Sequence, residues 1–295
     1  MTTTIGIIGA GAIGQTVSNT ILASGIADQL LLASRTLVQA QALTDDLDDM
    51  RTSTGARTTL LGCRPEDTTT AAALVIAIRE RFTNTHQHDI RMGGAEANAR
   101  AIRDLGRRLR GYTGTVLIVT NPVDLMTRLF AESSGCTRVY GIGSNLDTAR
   151  YRLALSSLTG VPADKIRGHV IGEHGDSAVI CASSTTVNGR ALAVPVREIR
   201  KTLADRPGSI SSGVGRTRSG PAGAVLTTLR LALGHSDGTT ELSASWGDHW
   251  LGLPVRFTRG LPQPVLPPLD AAEAQLFQAS GEKLDTAYQT LATIQ

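Results

Sequence analysis

Aromatic residues are scarce in this chain of 295 residues, which holds two Trp, four Tyr and four Phe, 3% in all. Its core must therefore rest on Ala, Val, Ile and Leu, and with 41% hydrophobic residues there is material for two compact domains or one large one. Cysteine is scarce too. Cys63, Cys136 and Cys181 lie far apart and no two form a C-x-x-C pair, which argues against a disulfide framework or a metal site and fits a reducing, cytoplasmic setting. Charge of one sign is missing as well: the net charge is +3, with Lys and Arg scattered rather than in runs, so no nucleic-acid surface is expected. No apolar stretch is long enough to suggest a membrane span. The opening MTTTIGIIGAGAIG has no basic region and passes straight into a strand and a glycine turn, so it is read as carrying no leader.

What is present alternates. Thr4–Ile8, Gln29–Ala33, Leu74–Ile78 and Thr115–Thr120 read as buried strands, and segments near Ala12–Ser24, Leu37–Met50, Arg91–Arg110 and Leu125–Ser133 as helices. Strand following helix in this way predicts a Rossmann-type, doubly wound parallel sheet covered on both faces. The second half changes character. A helix near Leu146–Leu158 leads into a β-rich stretch, His169–Val194, in which Asn188-Gly189 marks a hairpin because both residues tolerate positive φ. Pro207–Gly215, rich in Gly and Ser, reads as a mobile loop, Pro221–Leu233 as a helix and Ala271–Ile294 as a C-terminal helix. The expectation is an α/β fold, with a dinucleotide-binding domain over 1–143 followed by an α+β catalytic domain over 144–295.

Gly9-Ala10-Gly11-Ala12-Ile13-Gly14 follows an apolar strand and opens a helix. In that context the G-x-G-x-x-G pattern points to a dinucleotide: Gly9 permits the tight turn, Gly11 lets backbone approach a pyrophosphate, and Gly14 lets helix pack closely on strand. The helix N-terminus at Ala12 and Ile13 then offers unpaired N–H groups to the phosphates. Folds that bind NAD usually place Asp or Glu about 20 residues on, to hold the ribose hydroxyls. Here that position holds Ser34, and Arg35 follows. A hydroxyl and a guanidinium suit a 2′-phosphate, so NADP is expected over NAD; the alternative is that Arg35 is a solvated surface residue and both cofactors are used.

Five further segments stand in order: Arg91 with Asn98, Thr120-Asn121-Pro122-Val123-Asp124, Asn145-Leu146-Asp147-Thr148-Ala149-Arg150, Gly172-Glu173-His174-Gly175-Asp176-Ser177, and Thr217 ahead of Gly220-Pro221-Ala222. With the glycine turn, their identity and order resemble the L-lactate/malate dehydrogenase family, from Ile5 to the C-terminal helix. Reducing a 2-oxo acid requires a hydride at the carbonyl carbon and a proton at its oxygen. His174 is the candidate for the proton, since histidine changes charge near neutral pH. The resemblance implies that Asp147 orients His174 and that Arg150 anchors the substrate carboxylate. Their spacing of three sets both on nearly one helix face. It also implies that Arg91 polarises the substrate carbonyl, that Asn121 contacts nicotinamide and substrate oxygen, that Asn98 belongs to the cofactor site and that Thr217 lines the pocket. A homodimer or homotetramer follows from the same resemblance, and no metal is implied.

The chain departs from the family between Arg79 and Ile90, where it has about four more residues and lacks the usual glycine-containing stretch. The family's substrate-choosing residue lies here. Counted forward from the strand it is Arg81, which favours a second carboxylate and hence a malate-like substrate. Counted back from Arg91 it is Thr85, which favours a neutral side chain, as in lactate or a specialised biosynthetic 2-oxo acid. Malate/oxaloacetate is the preferred expectation. Two readings of other classes stand beside it. One is a dinucleotide-binding sensor that has lost catalysis, against which His174, Asp147, Arg150 and Arg91 argue. The other is an NAD- and metal-dependent glycosidase, against which the lack of a Cys/His cluster argues.

Overall fold

A computed structural model describes residues 2–81 and 94–292. The elements in chain order are β1 (Thr4–Ile8), α1 (Ala12–Ser24), β2 (Gln29–Ala33), α2 (Leu37–Thr54), β3 (Thr59–Cys63), β4 (Ala73–Ile76), α3 (Ala95–Arg108), β5 (Thr115–Ile118), α4 (Val123–Ser134), β6 (Val139–Gly141) and α5 (Ser144–Thr159). There follow β7 (Ile166–Arg167), β8 (Val170–Gly172), β9 (Ala178–Ile180), β10 (Thr186–Val187), β11 (Arg190–Ala191), α6 (Val196–Val214), α7 (Ser219–Ala232), β12 (Gly238–Trp246), β13 (His249–Thr258), β14 (Leu261–Pro264) and α8 (Ala271–Ala292).

The first six strands pair in the order β3-β2-β1-β4-β5-β6, all parallel. This is the doubly wound order whose direction reverses between β1 and β4, and ligands of such sheets bind outside the carboxyl ends of the strands there. The strands are short and apolar because both faces are covered. Ala73 and Val75 of β4 join Ile5, Ile7 and Leu117 in one core layer. Leu74 and Ile76 join Ile8, Val116 and Ile118 in the other. Alternation of side chains across the pleat thus feeds two separate helix layers.

The sheet does not stop at β6. Strand β12 continues it antiparallel, meeting β6 where Ser243 faces Gly141, and β13 carries it on to β8, where Gly252 faces Gly172. A side chain at position 252 would lie 1.8 Å from Ser144 Oγ, so glycine is what allows α5 to start so close to this crossing. A third cluster, with Tyr151, Leu155, Ile166, Val170, Ile180 and Ile199, holds α5 and α6 to the second half.

The alternating first half and the mixed second half match the α/β expectation, and three local readings differ. Pro207–Gly215 lies within α6 up to Val214, not in a loop. Val196–Asp205 starts the helix, Ile199 anchors it in the third core cluster, and its remaining turns extend through the Gly/Ser stretch with no other buried side chain. Strand β3 and the long hairpin β12–β13 are additional to the elements expected from sequence. The helix expected over Arg91–Arg110 is described from Ala95, and its first residues lie outside the described part. The Asn188-Gly189 hairpin is present, with φ of 49° and 77°.

Candidate active site

The glycine turn joins β1 to α1. Gly9 has φ of 126°, and a Cβ there would lie 2.5 Å from the Ala77 carbonyl oxygen. A Cβ at Gly14 would lie 1.7 Å from Gly9 O, so this helix turn packs directly on the strand end. Gly11 differs: a Cβ there would meet nothing within 4 Å. It is the N-cap of α1, no side chain caps the helix, and no acidic residue stands in its first turn. An open backbone surface at a positive helix end suits the pyrophosphate of a dinucleotide, and the residues present therefore fit one.

At the end of β2, Ser34 Oγ donates to Gln39 Oε1 at 3.1 Å, and Thr36 caps α2 by accepting from Gln39 N. Arg35 is exposed and faces Glu80, with Nη1 to Oε2 at 3.6 Å. Glu80 comes from the chain leaving β4, two strands away, and the sequence reading had no means of placing it beside Arg35. Its backbone N–H donates to Oδ1 of buried Asn98 at 2.9 Å, while Asn98 Nδ2 donates to Asn121 O at 2.8 Å. Asn98 thus braces the segments after β4 and β5 from behind. Thr120 Oγ1 adds a bond to Ile78 O at 2.7 Å.

The catalytic candidates come from three segments. Asp147 sits in the first turn of α5 and Arg150 one turn later, with Nη1 3.5 Å from Asp147 Oδ1, both buried. His174 follows β8, and its Nδ1 lies 2.5 Å from Asp147 Oδ2. That contact occupies Nδ1 and leaves Nε2 as the other ring nitrogen. The ring lies against Gly143, where a Cβ would come within 2.6 Å of it. Arg150 and Thr217 line a common cavity of 490 Å³ between α5 and α7, together with Leu146 and Gly220, but His174 and Asp147 do not line it.

Two acidic residues hold His174 from behind, and neither was assigned a role from sequence. Asp124, at the start of α4, accepts the His174 backbone N–H at 2.8 Å through Oδ2, and the Ser243 hydroxyl also favours its charged form. Burial pushes the Asp124 carboxyl up to about 6. Glu173 is also buried, and burial opposes its charge. Hydrogen bonds from Lys283 Nζ at 2.9 and 2.7 Å, and from Ser177 Oγ and N, outweigh that and hold it below the ordinary carboxylate range. Asp124 stands inside the quoted Thr120–Asp124 motif, so a signal for it existed. Nothing in the sequence links Lys283 to Glu173.

Arg81 is exposed at the edge of the described residues. Thr85 and Arg91 lie outside the described residues. Among the described residues no group of three or more His, Cys, Asp or Glu is placed to hold a metal, and no helix is long and apolar enough to cross a membrane.

Residues 3–143 match the family described as lactate/malate dehydrogenase, NAD binding domain, and residues 144–212 the lactate/malate dehydrogenase alpha/beta C-terminal domain. The chain is 31% identical over 210 residues to the L-2-hydroxycarboxylate dehydrogenase (NAD(P)(+)) of Methanocaldococcus jannaschii, covering 65% of this chain and 67% of that one. It is 31% identical over 245 residues to the L-lactate dehydrogenase of Chloroherpeton thalassium, covering 78% of this chain and 79% of that one. The malate dehydrogenase of Plasmodium falciparum superposes on 99% of both chains with a TM-score of 0.90 at 22% identity, which is a likeness of fold. With this match running through both halves, the chain belongs to the lactate/malate dehydrogenase family and is a nicotinamide-dependent oxidoreductase of the 2-hydroxy acid dehydrogenase type.

Proposed function

We propose that this enzyme reduces a 2-oxo acid of malate type, oxaloacetate-like, to its L-2-hydroxy acid, with NADPH favoured over NADH. The observation that carries the catalytic part is the His174 Nδ1 contact with Asp147 Oδ2, made while Arg150 lies one helix turn away beside the same aspartate. In this reading His174 gives its Nε2 proton to the carbonyl oxygen, and Asp147 fixes the ring and stabilises its charged form. Arg150 grips the 2-oxo acid carboxylate, and Thr217 closes the cavity wall. Asn121 and Arg91 complete the binding of the carbonyl, and Arg81 meets the second carboxylate. When bound on Gly9, Gly11, Ala12, Ile13 and Gly14, the nicotinamide cofactor supplies the hydride. Asn98 serves that site as a brace for Asn121.

Residues 1–143 are read as the cofactor half and residues 144–295 as the substrate half. The NADPH preference rests on Ser34 and Arg35, where family members that use NAD carry an acid. A homodimer or homotetramer belongs to the same reading, carried over from the family resemblance. Three buried free cysteines support a reducing, cytoplasmic setting.

The test is a panel of oxaloacetate, pyruvate and longer 2-oxo acids against NADPH and NADH, followed by loss of nicotinamide absorbance. Oxidation of NADPH by oxaloacetate, at least tenfold above the other pairs in kcat/KM, is expected. Preference for pyruvate would remove the role given to Arg81, and preference for NADH the role given to Ser34-Arg35. Cofactor binding without turnover on any 2-oxo acid would favour the sensor reading.

A further inference from the structure

Strands β2 and β4 flank β1 in the sheet, so their carboxyl ends stand on either side of the glycine turn. Strand β2 ends without the acidic residue that usually receives the ribose hydroxyls. Strand β4 leads into one: Glu80, whose carboxylate crosses to the Arg35 guanidinium at 3.6 Å. Its backbone is fixed by buried Asn98, so the reach is built from a held segment. Both side chains are open to solvent, Arg35 at 58% and Glu80 at 36%, so a ligand can approach either.

We propose that Glu80 moderates the cofactor preference of this enzyme, by competing with a 2′-phosphate for Arg35 and by accepting from the ribose hydroxyls of the unphosphorylated cofactor. The inference rests on the reading of Ser34-Arg35 as the adenosine-ribose site. A 2′-phosphate seated on Arg35 brings its oxygens near the Glu80 carboxylate. Like charges brought close at a well-solvated site weaken binding by roughly five- to tenfold. An unphosphorylated ribose meets no such repulsion, and a carboxylate is the acceptor its two hydroxyls need. Glu80 thus supplies from β4 the acid that β2 lacks. The chain then carries a cation suited to one cofactor and an acid suited to the other, and their pairing moderates the preference for either.

Calorimetric titration separates these arms, with adenosine 2′,5′-bisphosphate and ADP as probes and NADPH and NADH in parallel. In Glu80→Gln, the ratio of the two Kd values is expected to move at least fivefold toward the 2′-phosphorylated probe, with that probe bound tighter and ADP more weakly. In Arg35→Ala the 2′-phosphorylated probe should lose at least tenfold while ADP changes little. A ratio in Glu80→Gln within twofold of the parent overturns the role of Glu80, whatever Arg35→Ala does. An unchanged ratio in Arg35→Ala overturns the Ser34-Arg35 reading and, with it, the competition for Arg35. Thermal melts confirm that each variant is folded, and Glu80→Ala, which cannot replace the carboxylate's hydrogen bonds, should move the ratio the same way as Glu80→Gln.

Discussion

Lys283 of the C-terminal helix donates to both carboxylate oxygens of Glu173, the residue before His174. Ser280, one turn earlier on α8, accepts the Glu173 backbone N–H at 2.7 Å. The last helix of the chain thereby fixes the backbone that leads into His174. Lys283→Met leaves a buried carboxylate without its cation. For a fully buried pair such a loss costs about 3–5 kcal/mol; Lys283 is 40% exposed, so a loss of about 2 kcal/mol is expected. Adding Glu173→Gln should return at least half of it. Chemical denaturation of the two variants checks this, and a double variant as unstable as Lys283→Met would count against the pairing.

The same carboxylate gives a pH dependence. Glu173 is held below its ordinary range, so its contribution to stability is fully present above about 4.3, the unfolded value, and is lost as pH falls through its lower folded value. The gap in stability between the parent and Lys283→Met is therefore expected to be constant at neutral pH and to close in the acid range. A gap that persists under strongly acid conditions would contradict this.

Asp124 has the opposite sign. Its folded carboxyl titrates at about 6, above the unfolded value of about 3.9, so the folded state binds more protons between these limits and stability falls as pH rises through them. Asp124→Asn keeps an oxygen for the His174 N–H and removes the buried charge. This variant is expected to be more stable than the parent by on the order of 1–3 kcal/mol above pH 7, with the gain gone near pH 4. Melting temperatures across that range decide it. A gain equal at both ends, or a loss at high pH, would refute it.

Gly11 and Gly14 separate binding from folding. A methyl at Gly11 meets no protein atom, so Gly11→Ala should melt within about 1 kcal/mol of the parent while weakening cofactor binding at least tenfold. A methyl at Gly14 collides with Gly9 O, so Gly14→Ala should lose more than about 2 kcal/mol of stability. Equal effects of the two on melting would contradict the geometry.

The sequence made the parallel half legible because its strands are short apolar runs closed by turn signals, with amphipathic helices between them. It made His174, Asp147 and Arg150 legible as a set because each sits in a short motif. The long hairpin is weakly signalled because Pro254 and Gly252 interrupt β13, although Gly247-Asp248 between two β-rich runs is a usable turn signal. Strand β3 is an edge strand with mixed burial, and its pattern is correspondingly weak. Pairs such as Arg35 with Glu80 and Glu173 with Lys283 join residues 45 and 110 positions apart (80 − 35 and 283 − 173). No local pattern specifies contacts of that range; only the crossing order of the sheet and the docking of α8 do.

The most direct test of the central claim is the pH profile of oxaloacetate and pyruvate reduction by the parent and by His174→Gln, with cofactor affinity measured alongside. If His174 is the proton donor, the variant binds NADPH and NADH within about twofold of the parent and loses roughly 10²–10⁴ in kcat/KM. Its remaining activity should no longer follow the parent's pH dependence. Retention of more than a tenth of the parent activity with an unchanged pH profile would show that the proton comes from elsewhere.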